Sequence, residues 1–138
     1  PYYLVAQFAA GILAFFVGSQ LVLGGLEVAE ITENKFGSTL SVLAAEAFWT
    51  FALMFVIINV ATEQSGNQFY GAAIGLTVMA GAFTVGGISM GSFNPAVTTM
   101  LITSGAMAVA DVWMHIVPQL AGAVAAVFVH KLMMGENE

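Results

Sequence analysis

Apolar residues run along this chain in four long blocks divided by short polar breaks, with one shorter block between the third and the fourth. The long blocks cover residues 3–26, 40–62, 69–88 and 109–133. Each is near the ~20 residues that an α-helix needs to cross a hydrocarbon core. The shorter block, about 95–104, opens at the triplet Asn94-Pro95-Ala96. Asn94 suits an N-cap, and Pro95 suits the first helical position, where no N–H partner is required. At about 1.5 Å per residue the resulting helix is roughly 15 Å long, half of a core ~30 Å thick. The pattern therefore predicts an all-α membrane protein with four spans and one half-helix that enters the membrane and turns back. Backbone that ends at such depth persists only when it is buried in protein or lines a water-filled path.

The breaks define the connections. Residues 27–39 are polar and acidic, and Asn34-Lys35-Phe36-Gly37 is a turn signal ahead of Ser38 or Ser41 as the cap of the second helix. The connection from Glu63 to Gln68 is short enough to make the second and third helices antiparallel neighbours. Small residues recur at helical spacing, with Gly11, Ala14 and Gly18 in one series, Gly71 and Gly75 in another, and Gly122 and Ala126 in a third. In lipid such series let helices approach closely, because packing drives association there. Tyr2, Tyr3, Trp49, Tyr70 and Trp113 fall near span ends, as interfacial aromatic belts require. Residues 1–138 thus form one partial membrane domain.

Composition narrows the function classes. The chain is 59% hydrophobic and 7% charged, far from the quarter of charged residues usual in soluble domains. Lys35 and Lys131 are its two basic residues against eight acids, so no basic surface exists for nucleic acid or an anionic lipid face. The two lysines follow the first and fourth spans, and the positive-inside count is a tie. Most acids, including Glu27, Glu30, Glu33, Glu63, Glu136 and Glu138, fall in connections or at the end and read as solvated charges. The absence of cysteine removes disulfides, thiolate metal sites and Cys nucleophiles. The chain begins at Pro1 and enters an apolar helix at once, which reads as a fragment.

Four segments in order resemble the aquaporin and glycerol-facilitator family of major intrinsic proteins. Tyr3-Leu-Val-Ala-Gln7-Phe is similar to that family's third helix. Ala45-Glu46-Ala-Phe-Trp-Thr50-Phe-Ala-Leu-Met-Phe55 resembles its Ala-Glu-x-x-x-Thr-x-x-Leu-x-Phe pattern. The run from Gly75 through Gly86-Gly-Ile-Ser-Met-Gly91-Ser-Phe-Asn94-Pro-Ala-Val-Thr98 resembles its fifth helix and half-helix, and Trp113-Met-His-Ile-Val-Pro118-Gln-Leu-Ala-Gly122 its sixth. The family is built from two inverted repeats, each of three helices and one half-helix. Val97 after the triplet is the habit of the first repeat, whereas the second usually has Arg. The extra leading helix, Pro118 and the end just beyond Met134 place this chain in the second repeat, with the N-terminal repeat missing.

The resemblance implies a passive channel for small neutral solutes (polyols, urea or metalloid hydroxides, with water), an aquaporin-like bundle and, when complete, a homotetramer in the cell membrane. No cofactor and no metal are implied. Asn94, Pro95 and Ala96 would form the start of the pore half-helix, whose positive dipole end opposes cations, as is known for aquaporins. Three constriction positions fall at Ala82, Gly91 and Val97. Water-selective members carry His at the first and Arg at the third, so these residues imply a wider and less polar filter. Glu46 is the acid well inside a span, where a carboxylate is by default a functional group such as a proton relay. Its family counterpart instead accepts hydrogen bonds from the re-entrant loop, and Thr50 one turn later bonds backbone on the same face. Gln7, Asn59 and Gln119 read as interhelical hydrogen-bonders. His115 and His130, 15 residues apart, have no second ligand nearby in the sequence for a metal. Two other readings stay open: a water-selective channel, or a non-conducting scaffold segment if the chain is expressed alone. An intramembrane enzyme has no paired acids, Ser/His array or metal cluster to carry it.

Overall fold

A computed structural model describes residues 2–22 and 36–135. The described chain is helical and has no strand. Helix α1 spans Tyr2–Phe16 and continues as a π-helical turn, Val17–Val22. Helix α2, Thr39–Ile57, likewise runs on through Ile58–Thr62 in π geometry. Helix α3 is Tyr70–Ser89, α4 is Pro95–Thr103 and α5 is Trp113–Met134, led in by a 3₁₀ turn at Val109–Asp111. Three of these are long and apolar enough to cross a membrane: Thr39–Thr62, Tyr70–Ser89 and Val109–Met134. The first expected span contributes the shorter apolar stretch Val5–Leu21, and its expected end at 23–26 lies outside the described residues.

Local chemistry sets the element ends. Ser38 caps α2, its Oγ accepting from Ser41 N–H at 3.2 Å. Asn67 closes the 63–68 connection by accepting from Phe69 N–H at 2.9 Å and donating to Val60 O at 3.2 Å. This tight connection returns α3 along α2, with Glu46 of α2 opposite Ser89 of α3. Gly135, with φ +74°, ends α5 as a left-handed C-cap. Pro118 lies within α5 and is buried; its missing N–H frees a carbonyl one turn back without breaking the helix.

Helix α2 packs chiefly on α5 and then on α3, while α1 packs on α4. Gly122 makes the α2–α5 approach possible, because a Cβ there would overlap the carbonyl oxygen of Ala47. Gly11 does the same for α1 against the carbonyl of Ala96 in α4. Ala45, Leu53, Val85 and Phe93 form the buried apolar cluster, flanked by Trp49, Ile57, Ile74 and Ile88. Trp49 therefore belongs to the packing under the loop, its ring 6.1 Å from that of Phe93, and not to an interfacial belt. Tyr2, Tyr70 and Trp113 are exposed at helix starts. Most large apolar side chains of α3, Phe83 and Leu76 among them, point outward.

Candidate functional site

The site begins where α3 stops. Met90 takes φ +66°, Gly91 +62° and Phe93 +53°, so the chain turns through three left-handed residues within four positions. Glycine adopts that conformation freely, but a side-chain-bearing residue costs roughly 1–2 kcal/mol. Such backbone persists when its surroundings over-determine it. Here Met90 N–H closes onto Gly86 O at 2.9 Å. Phe93 N–H donates to Glu46 Oε2 at 2.8 Å, and Phe93 O accepts from Thr50 Oγ1 at 3.3 Å. The Phe93 ring is buried against Gly81, where any Cβ would strike it.

Glu46 is the centre of this arrangement, and it is fully buried. Its Oε1 accepts from Ser89 Oγ at 2.6 Å and from Ser92 N–H at 3.1 Å. Its Oε2 accepts from Phe93 N–H and from Gln119 Nε2, both at 2.8 Å. Both oxygens are thus engaged by donors, the pattern expected of an acceptor-only carboxylate. Charge-assisted bonds of this kind are the strong ones, and low dielectric strengthens them further. From the other side His115, also fully buried, places Nε2 at 2.8 Å from Ser89 O, with the Phe36 ring 5.4 Å from its own.

The half-helix α4 then starts at the end of the loop. Asn94 is its N-cap, with Oδ1 accepting from Ala96 N–H at 2.9 Å, and Pro95 occupies the first turn. That bond leaves the amide donors of Asn94 uncommitted to the cap. Thr98 Oγ1 and Ser92 Oγ each reach Asn94 O at 3.2 Å and lie 2.7 Å from one another. Gly105, with φ +76°, ends the helix after nine residues, about 13–14 Å at the usual rise. A cavity of about 340 Å³ opens beside this start, lined by Gln7 of α1, Thr50 and Leu53 of α2, Asn94, Pro95 and Gln119 among others.

Of the residues singled out from the sequence, Asn94, Pro95 and Ala96 lie together at the half-helix start, with Glu46 and Thr50 bonded to the loop before it. Ala82 is exposed on α3, and Gly91 lies against it, close enough that a Cβ on Gly91 would be 3.2 Å from Ala82 Cα. Val97 is half-buried in the first turn of α4. None of these three positions lines the cavity at Asn94. Asn59 bonds Phe55 O of its own helix at 2.7 Å, so it is not an interhelical bridge among the described residues. No cluster of three or more His, Asp or Glu suited to a metal occurs among the described residues.

Residues 60–138, more than half of the chain and the whole stretch from α3 through α5, match the family model described as Major intrinsic protein. The chain belongs to the major intrinsic protein family. As a major intrinsic protein with three membrane-length apolar helices, it is an integral membrane protein. It is 43% identical over 94 residues to "Aquaporin Z" of Brucella melitensis, covering 63% of this chain and 41% of that protein. It is 34% identical to a "Probable aquaporin NIP-type" of Nicotiana alata over its full length, and 31% identical to "Aquaporin NIP1-1" of Zea mays. The alignments cover 51% and 49% of those two proteins, so the chain spans about half the length of the curated relatives it matches, or somewhat less. No solved structure matches it.

In this major intrinsic protein the matched region begins after Glu46 and Thr50, so the fold and not the family match joins those two to the loop. Ser89, Ser92, Thr98, His115 and Gln119 also meet there. Sequence reasoning gave no role to the first four and left Gln119 as a general interhelical bonder. The available signal was position: Ser89 and Ser92 flank the turn, and Gln119 follows the one proline of the last span.

Proposed function

We propose that this chain is the second half of a passive channel for small neutral solutes (polyols, urea or metalloid hydroxides, together with water) and not an enzyme. The observation that carries this reading is the start of α4. A capped helix terminus, carrying about half a positive charge, meets a cavity of about 340 Å³ lined by Asn94 and Pro95. A positive, non-anionic terminus, with the Asn94 N–H₂ group not used by the cap, suits the oxygen of a water or hydroxyl and disfavours a cation. Glu46 and Thr50 serve this terminus by fixing the loop, not by relaying protons, because both carboxylate oxygens are occupied by donors.

Ala82, Gly91 and Val97 form the chain's share of the filter on this reading, with no Arg and no His to narrow it. The cavity and the outward apolar face of α3 are where a missing N-terminal repeat, with its own half-helix, completes the pore. The whole protein is then a homotetramer in the cell membrane, one pore per subunit.

Osmotic swelling of vesicles containing the protein encoded by the full reading frame tests this. Entry of water together with glycerol and urea is expected. Water flux with both solutes excluded would refute the wide filter, and no flux at all would leave a packing segment. Val97→Arg is expected to exclude glycerol while water still passes; an unchanged solute range would remove position 97 from the pore wall.

A further inference from the structure

Gln119 carries more of the site than its place in the last span suggests. Its side chain is 1% exposed. One amide N–H reaches Glu46 Oε2 at 2.8 Å, and the other is shared between Thr98 Oγ1 at 3.1 Å and Ser92 Oγ at 3.3 Å. These two hydroxyls in turn reach Asn94 O. A single amide on α5 thus touches the anchor on α2, the loop after α3 and the first turn of α4.

The orientation of the Gln119 amide follows from Glu46. Turning the amide over would set Oε1 against a carboxylate that accepts only, so Nε2 must face it. With both N–H groups spent, Ser92 and Thr98 receive from Gln119; one of the two hydroxyls donates to the other at 2.7 Å, and the second passes its hydrogen on to the Asn94 carbonyl at 3.2 Å. This orientation leaves Gln119 Oε1 buried with no hydrogen-bond partner among the described residues. A buried acceptor without a partner is destabilising. Leucine or methionine would fill the same space without that defect. The amide is explained by its donors.

We propose that Gln119 is a positioning residue that couples α5 to the half-helix start, holding the Asn94 carbonyl and, through it, the Asn94 amide in the orientation that meets the solute. The proposal rests on the channel reading for its consequence in transport, but the coupling itself is observable without transport. Glu46 is the ionisable group bonded to Gln119, and His115, on Ser89 O, is the other titratable side chain bonded to this loop.

Two variants of the full-length protein test it. Gln119→Met keeps the volume and removes the donors. Amide hydrogen exchange at Ser92 and Phe93 is expected to rise by about tenfold, the factor that a lost hydrogen bond to a charged group carries, while exchange in α3 stays as in the parent. Unchanged exchange at those two amides, or an equal rise throughout α2–α5, would overturn the coupling. Gln119→Glu keeps the shape and puts a second carboxyl against Glu46. Two buried carboxyls at this distance share one proton, so the bond to Glu46 is kept while the second donor, toward Ser92 and Thr98, is lost; swelling should fall below the parent but stay above that of Gln119→Met. Swelling by the Glu variant no faster than that of the Met variant would overturn the positioning role. If the parent protein does not swell vesicles, the channel reading fails and the exchange measurement alone decides the coupling.

Discussion

The half-helix is held on its two sides by different physics. Toward α2 and α5 the contact is polar and directional: Glu46, Thr50, His115 and Gln119 all bond the loop or the first turn. Toward α1 it is steric, the Cα of Gly11 lying under the Ala96 carbonyl with no side-chain hydrogen bond between the two helices among the described residues. Hydrogen bonds fix orientation because their geometry is narrow and an unmade one is costly at this depth. Close backbone packing fixes distance and tolerates rotation. The start of a re-entrant helix needs both, since Asn94 must point correctly and sit at the right depth.

Substitutions on each side can break or sharpen that contrast. The largest loss is expected for Glu46→Gln, which keeps the shape but turns an N–H₂ group toward donors that the carboxylate had accepted. Thermal unfolding in detergent should show a destabilisation on the order of 3 kcal/mol. If it proves milder than a change at Gly11, the polar side is not the dominant one. Gly11→Val should come next, at about 1–3 kcal/mol, because the added carbons must push α1 off α4. Its sharper signature is a displaced half-helix, readable as slower swelling with the solute ranking preserved. Thr50→Val removes one 3.3 Å bond to Phe93 O and should cost about 1 kcal/mol in the same unfolding assay.

The smallest effect is expected away from the half-helix. His130 near the end of α5 and Glu63 after α2 lie 3.2 Å apart, but Glu63 is 44% exposed. Glu63→Gln should therefore change stability by less than about 1 kcal/mol. A larger shift would mean that a pair at the membrane edge rivals the buried cage.

Much of this was legible in the residues. Asn94-Pro95 announces a helix start wherever it stands, and the short apolar run after it limits that helix to half a membrane. Three membrane-length helices followed from length and hydropathy, whereas α1 is described only as a shorter apolar helix. Glu46 stood out as an acid within a span. Less legible were its partners. Ser89, Ser92 and Phe93 lie more than forty residues from Glu46, and Gln119 lies 73 away. Nothing in local pattern records such pairings. The partner of Trp49 was equally hidden: its depth within the second span argued against a belt role, but Phe93, which holds its ring, is brought near only by the folded loop.

The sequence by itself determined the helices, the half-helix and its cap, because hydropathy and capping act over a few residues. It also carried the family, through short motifs in a preserved order. Tertiary structure decided which polar groups meet and in what direction their hydrogen bonds run. It also stabilised left-handed Met90 and Phe93, which no local preference supports. The physical reason is that buried polar groups must find partners, and where helices bring those partners together is a property of packing.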